Sequence, residues 1–187
     1  MMYVVTGGSG SGKSEYAEQL AVSLGGERVY LATMQVYDEE GKQRVARHRA
    51  MREGKQFLTL ECPYGLEEYV RKPENYENLN GRVVLLECMS NLAANEMFPA
   101  DGGMRTAEQT KETVLRGLHA LRSVCRDLVV VTNEVFSDGV AYDPGTEAYI
   151  RALGSINVSM ASCAHRVTEV VCGIPVDFPQ RTEKETI

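Results

Sequence analysis

Gly7-Gly8-Ser9-Gly10-Ser11-Gly12-Lys13-Ser14 fits the pattern G-x-x-x-x-G-K-[ST] at every fixed position. The residue types state the chemistry. Glycines let successive backbone N–H groups turn inward around phosphate oxygens, and a helix N-terminus adds its dipole. Lys13 is expected to reach the β- and γ-phosphates, and the Ser14 hydroxyl to ligate Mg²⁺. Such a loop needs an acidic partner for the metal shell. Val83-Val84-Leu85-Leu86-Glu87 is an apolar strand ending in a carboxylate, the form that partner takes. Glu87 is longer than the usual aspartate, which favours contact with the ion through water. Asn133-Glu134 forms a second polar pair at a strand end, where ligands of open α/β sheets bind. Glu134 is there either as a substrate or metal contact or as a solvent-facing side chain.

A second concentration of chemistry lies in Asp38–Arg52, which carries Lys42, Arg44, Arg47, His48, Arg49 and Arg52. On a helix, Arg44, His48 and Arg52 share one face with Val45. Two readings stand. One is a solvated charged helix. The other is an anion-binding face with an imidazole at its centre. Histidine can attack phosphorus and form a phosphoramidate, and surrounding arginines would offset the charge developing on the transferred group. His119, between Leu118 and Leu121, and His165 read as structural.

These residues need a scaffold. Near-continuous apolar runs at Tyr3–Thr6, Arg28–Ala32, Val83–Glu87, Leu128–Thr132 and Val167–Val171 predict strands buried on both faces of a parallel sheet. Helical periodicity fills the spaces between them. Tyr16, Ala17, Leu20, Ala21 and Leu24 form one stripe in Lys13–Leu24, stopped by Gly25-Gly26. Val114, Leu118, Leu121 and Cys125 form another in Thr106–Arg126, with Thr106 and Gln109 as a capping box. A third stripe, Tyr149, Ile150, Leu153, Ile156, Met160 and Ala164, runs through Thr146–Arg166. The alternation predicts an α/β sandwich: a P-loop domain with a mostly parallel central sheet flanked by helices. Pro73–Gly81 reads as a polar connector, and residues 177–187 as a frayed tail of a single domain spanning 1–187.

The bulk composition agrees. The chain has 187 residues, 43% apolar and 25% charged, which excludes a disordered or low-complexity protein. No apolar run approaches the ~18 residues of a bilayer span. The net charge of −6 argues against a nucleic-acid coat while leaving room for a local basic patch. The five cysteines are an odd number and contain no C-x-x-C pair, so they read as buried free thiols of a cytoplasmic protein. The N-terminus has neither the basic region nor the apolar core of a signal peptide.

Taken in order, several segments resemble one enzyme family: Val5–Ser14, Tyr30-Leu31-Ala32-Thr33, Arg44-Val45-Ala46-Arg47-His48-Arg49, Thr59–Pro63, Leu85–Cys88 with Asn95, and Val131-Thr132-Asn133-Glu134-Val135. A looser match through Arg151–Ala164, including Gly154 and Asn157, follows. The chain resembles, over nearly its whole length, the bifunctional adenosylcobinamide kinase / adenosylcobinamide-phosphate guanylyltransferase of cobalamin biosynthesis. The resemblance implies phosphorylation of adenosylcobinamide by a nucleoside triphosphate, GTP or ATP. Transfer of GMP from GTP to adenosylcobinamide phosphate follows. It implies a covalent GMP on the histidine matching His48. It implies guanine-nucleotide contacts from Gly7, Gly8, Ser9, Gly10, Ser11, Gly12, Lys13 and Ser14, from Ala32, Thr33 and Met34, from Arg49, Ala50, Met51 and Arg52, and from Glu61 and Glu87. It also implies a homotrimer with sites near subunit interfaces. The chain departs from the pattern after Thr-Asn-Glu-Val. The family runs Gly-x-Gly-Ile-Val-Pro there, whereas this chain has Phe136-Ser137-Asp138-Gly139-Val140-Ala141-Tyr142-Asp143-Pro144. Two competing readings are a P-loop kinase of another alcohol, with His48 a phosphate contact, and a GTP-binding relative without transferase activity.

Overall fold

The structure, a computed structural model, describes residues 1–35, 39, 53–136 and 139–178. Seven strands form one sheet: β1 (Met2–Thr6), β2 (Arg28–Ala32), β3 (Phe57–Glu61), β4 (Val83–Glu87), β5 (Asp127–Val131), β6 (Arg166–Val171) and β7 (Ile174–Phe178). Their order is β3-β2-β4-β5-β1-β6-β7. All neighbours pair in parallel except β6 and β7, which form an antiparallel hairpin. Six helices accompany them among the described residues: α1 (Lys13–Ser23), α2 (Leu66–Arg71), α3 (Pro73–Leu79), α4 (Met89–Met97), α5 (Ala107–Val124) and α6 (Pro144–Cys163).

The strands read as unbroken apolar runs because both faces are covered. Val5, Tyr30, Val83, Leu85, Val129 and Val131 pack with Ala17 and Ala21 of α1 in one cluster. The alternate residues Met2, Val4, Val29, Leu31, Val84, Leu86, Leu128 and Val130 pack with α2, α4, α5 and α6 in the other. The period-two alternation of strand side chains thus sends consecutive residues into two different cores. α5 is central to the second layer and contacts α2, α3, α4 and α6. A Cβ added at its Gly117 would lie 2.8 Å from Leu66 Cβ, so the absent side chain is what lets α2 sit this close. Its capping box forms as expected: Gln109 N–H donates to Thr106 Oγ1 at 3.2 Å, and Thr106 N–H to Gln109 Oε1 at 3.0 Å.

Several expectations are corrected. Pro73–Gly81 is no simple connector: Pro73 opens α3, where a proline at the first helical position loses no hydrogen bond. The third predicted helix starts earlier and ends sooner than Thr146–Arg166. Asp143 caps it through bonds from the N–H groups of Gly145 and Thr146, and Arg166 opens β6. Of the tail expected to fray over 177–187, Asp177 and Phe178 pair with Thr168 and Val167 in β7, and residues 179–187 lie outside the described residues. β3 and β7 were not foreseen. Both are edge strands, with the weaker burial pattern that edges have. All five cysteines are free, but only Cys62, Cys88 and Cys125 are buried; Cys163 and Cys172 are exposed. No helix among the described residues is long and apolar enough to cross a membrane.

Candidate active site

The phosphate loop joins β1 to α1 at the C-terminal edge of the sheet. Ser11 N–H donates to Gly8 O at 3.2 Å, which closes the turn, and Gly12 caps α1 with φ 91°. Neighbouring strands hold the loop from both sides. Glu134 N–H, just past β5, donates to Gly7 O at 3.1 Å, and Gly173 N–H, in the β6–β7 turn, donates to Ser11 O at 2.8 Å. A Cβ at Gly7 would lie 2.5 Å from Val170 O and 2.7 Å from Ser11 Oγ, so glycine there is a steric requirement.

Lys13 is buried and donates from Nζ to Gly8 O at 2.9 Å, folding its ammonium back across the loop. Burial pushes its pKa down, opposed by the attraction of Glu87. A triphosphate would supply the anionic partner that the buried ammonium lacks in that loop. Ser14 Oγ donates to Glu87 Oε1 at 2.8 Å, so the two residues expected to serve the metal already touch. Hydroxyl and carboxylate are hard oxygen donors that suit Mg²⁺, whose remaining positions phosphates and water usually fill. Among the described residues no group of three or more His, Cys, Asp and Glu gathers.

Sheet register gathers the other expected contacts. Glu61 of β3 pairs with Ala32 of β2, and Ala32 pairs with Glu87 of β4. The three therefore form one row at the sheet's C-terminal edge, on the face that also carries α1, with the backbone positions of Glu61 and Glu87 two strand spacings, about 10 Å, apart. Thr33 follows Ala32 and is fully buried. Its hydroxyl donates to Cys88 O at 2.7 Å and accepts from Cys88 N–H at 2.8 Å, while its own N–H donates to Glu87 O at 3.0 Å. With no exposed surface, and with its hydroxyl, N–H and carbonyl all bonded within the protein, Thr33 shapes this edge of the site and presents none of its own atoms to a ligand. Met34 is half-buried beside it, and Glu61 is exposed.

Arg44, Arg47, His48, Arg49, Ala50, Met51 and Arg52 lie outside the described residues. Both chain ends flanking them are described: β2 before and β3 after, adjacent parallel strands. Of the two remaining histidines, His165 Nδ1 accepts from Met2 N–H at 3.1 Å, a structural role, and His119 sits on α5.

Sequence reasoning missed a polar network beneath the loop. Asn133 Nδ2 donates to Ser90 Oγ at 2.7 Å, Ser90 Oγ lies 3.0 Å from Cys88 Sγ, and Tyr149 OH donates to Ser90 O at 3.1 Å. Thr132 Oγ1 donates to Asn157 Oδ1 at 2.8 Å. Burial raises the pKa of both Cys88 and Tyr149, so both stay protonated donors. Ser90 and Tyr149 carry no local signal; only three-dimensional contact between β4, β5, α4 and α6 reveals them. Glu134 uses Oε1 to accept from Phe136 N–H at 2.9 Å, which orders the start of the divergent segment.

A strand–loop–helix phosphate cradle at the edge of a parallel sheet, with a carboxylate on the serine hydroxyl, defines a P-loop nucleotide-binding α/β protein. An ATPase domain of solved structure shares this fold, with a TM-score of 0.53 over 90% of this chain and 68% of that one at 11% identity. The chain belongs to the cobinamide kinase / cobinamide phosphate guanyltransferase family, whose model matches residues 3–178. It is 32% identical over 185 residues to the bifunctional adenosylcobalamin biosynthesis protein CobU of Escherichia coli, covering 94% of this chain and 98% of that protein. It is 31% identical over 176 residues to the bifunctional adenosylcobalamin biosynthesis protein CobP of Pseudomonas aeruginosa, covering 94% and 96%.

Proposed function

We propose that this chain phosphorylates adenosylcobinamide and then transfers GMP from GTP to adenosylcobinamide phosphate through a covalent GMP on His48, as a cytoplasmic homotrimer. Family membership supports both activities. The observation that carries the nucleotide reading is the bond from Ser14 to Glu87 beneath a phosphate loop held by β5 and the β6–β7 turn.

In the kinase step the acceptor hydroxyl oxygen forms a bond to the γ-phosphorus as the bond to the β-γ bridging oxygen breaks; the nucleoside diphosphate leaves and the hydroxyl proton passes to water. The loop N–H groups and Lys13 bind and orient the phosphates and offset charge developing on the transferred group. Mg²⁺, held by Ser14 with Glu87, would neutralise phosphate charge. In the transfer step an imidazole nitrogen of His48 forms a bond to the α-phosphorus of GTP, and pyrophosphate leaves. A phosphate oxygen of adenosylcobinamide phosphate then displaces the histidine and yields adenosylcobinamide-GDP. Arg49, Ala50, Met51 and Arg52, the segment Ala32, Thr33 and Met34, and the carboxylates of Glu61 and Glu87 are assigned to the guanine nucleotide. The common row of Glu61, Ala32 and Glu87 supports that assignment.

Intact mass after incubation with GTP and Mg²⁺ tests the proposal. Wild type should gain one GMP and His48→Ala none. A wild type that binds GTP without gaining mass would leave a P-loop kinase with its transferase half lost. Light scattering of the same sample tests the trimer.

A further inference from the structure

We propose that Asn95 is a positioning residue for guanine-nucleotide binding, tying together the two loops that present Ala32–Met34 and Glu61; the inference rests on the reading that these residues contact GTP. Asn95 lies on α4, on no strand and outside the phosphate loop. Its Nδ2 donates to Thr33 O at 2.8 Å and to Pro63 O at 2.9 Å. The first acceptor lies just past β2 and the second just past β3. Both are carbonyl oxygens, which only accept, so the amide orientation follows from its partners.

The chemistry of the position is narrow. The β2 ladder to β3 ends at Ala32, whose carbonyl accepts from Cys62 N–H at 2.8 Å. Thr33 is the next residue, with no exposed surface, and a buried carbonyl left without a donor is costly. One neutral nitrogen with two hydrogens serves both loops at once. A serine or threonine has one hydrogen to give, an aspartate none, and an alanine none. The neighbouring residue strengthens the tie. The buried Glu96 carboxylate accepts from Gly65 N–H at 2.7 Å and is paired with Arg105. Consecutive α4 residues therefore grip the β3 loop at Pro63 and Gly65, and the first of them also grips the β2 loop. Glu61 is two residues upstream of Pro63, and Met34 directly follows Thr33. The β2–β3 ladder fixes their spacing up to Ala32 and Glu61, and beyond it this side chain bonds both loops at once.

The test compares Asn95→Ala, Asn95→Asp and Glu61→Ala by calorimetric GTP affinity and by the rate of GMP-adduct formation at saturating GTP. Loss of two donated bonds should weaken GTP binding about ten-fold in both Asn95 variants. The saturated rate should stay within about two-fold of wild type, the pattern of lost uniform binding. Asn95→Asp keeps the volume and loses the donors, so wild-type affinity in that variant would overturn the proposal and leave Asn95 a space-filling residue. Unchanged affinity in Asn95→Ala would overturn it equally. Asn95→Ser, which keeps one donor, replaces either variant if it does not fold, with an intermediate weakening expected. If Glu61→Ala weakens GTP and the Asn95 variants do not, the positioning role alone fails. If Glu61→Ala has no effect either, the assignment of these loops to GTP fails with it.

Discussion

Lys13 holds a charge where its surroundings disfavour it. Burial lowers its pKa, Glu87 pulls the other way, and a backbone carbonyl of the loop is its hydrogen-bond partner. Such a residue serves a ligand more than the fold. Lys13→Met keeps most of the apolar stem and removes the charge. Its ligand-free thermal midpoint is expected to match or exceed wild type, while calorimetric binding of GTP falls by at least about two orders of magnitude, as for loss of a buried charge-assisted contact. A variant that lost several degrees of stability and kept its GTP affinity would show the ammonium to be structural. The cysteines separate by surroundings in the same way. Burial pushes Cys62 and Cys125 up to about 12 and raises Cys88 as well, so these thiols are protonated near neutral pH. Iodoacetamide at pH 8 should label Cys163 and Cys172 in the native protein and all five after denaturation. Native labelling of Cys88 would contradict the packing around Ser90.

Helix α6 begins where an exposed carboxylate caps it. Asp143 accepts from the hydroxyl and N–H of Thr146 and from Gly145 N–H, and these bonds lower its pKa. A carboxyl whose pKa is depressed on folding contributes stability above the unfolded value of about 3.9 and loses it as pH falls through the lower folded value. Asp143→Ala should therefore be less stable than wild type at pH 7, and urea midpoints should show the difference shrinking toward pH 3. A difference independent of pH would mean that the side chain caps without its charge. Asp143-Pro144 was a visible helix start, as was Pro73 of α3, yet the polar composition of both stretches masked them. The elements read correctly, β1, β2, β4, β5, β6, α1 and α5, carry two-sided burial or a long apolar stripe, which leaves a strong periodic record. β3 and β7 lie at the edges and bury little. At the site the division is the same. Gly7–Ser14 and Glu87 were legible because phosphate chemistry demands fixed spacing. Asn95, Ser90 and Tyr149 act across 62, 43 and 59 residues of chain, and no local pattern records such contacts.

On the scale of the whole molecule, the sheet brings separate tips to one edge. The phosphate loop is bonded to the ends of β5 and of the β6–β7 hairpin, the Ser14 hydroxyl to β4, and the β2 loop to β4 and α4. These ties span the sheet from β2 to β7 and are made by the protein's own groups, so binding has little backbone to order at the loop. The site should then act as a lock on the global fold. A ligand that binds only the folded state adds RT ln(1 + [L]/Kd), about 2.7 kcal/mol at a hundred-fold excess over Kd. For a chain of this length that corresponds to a rise in Tm of roughly 5–11 °C. Reversible thermal unfolding with and without GTP and Mg²⁺ measures it. Wild type should show the shift and Lys13→Met should not. The amides of Glu134 and Gly173 should be slow to exchange before nucleotide is added, because their acceptors are the loop's own carbonyls. Fast exchange at both without nucleotide, becoming slow only when it is bound, would mean instead that the ligand assembles the loop, and the thermal shift would fall short by the free energy of ordering it.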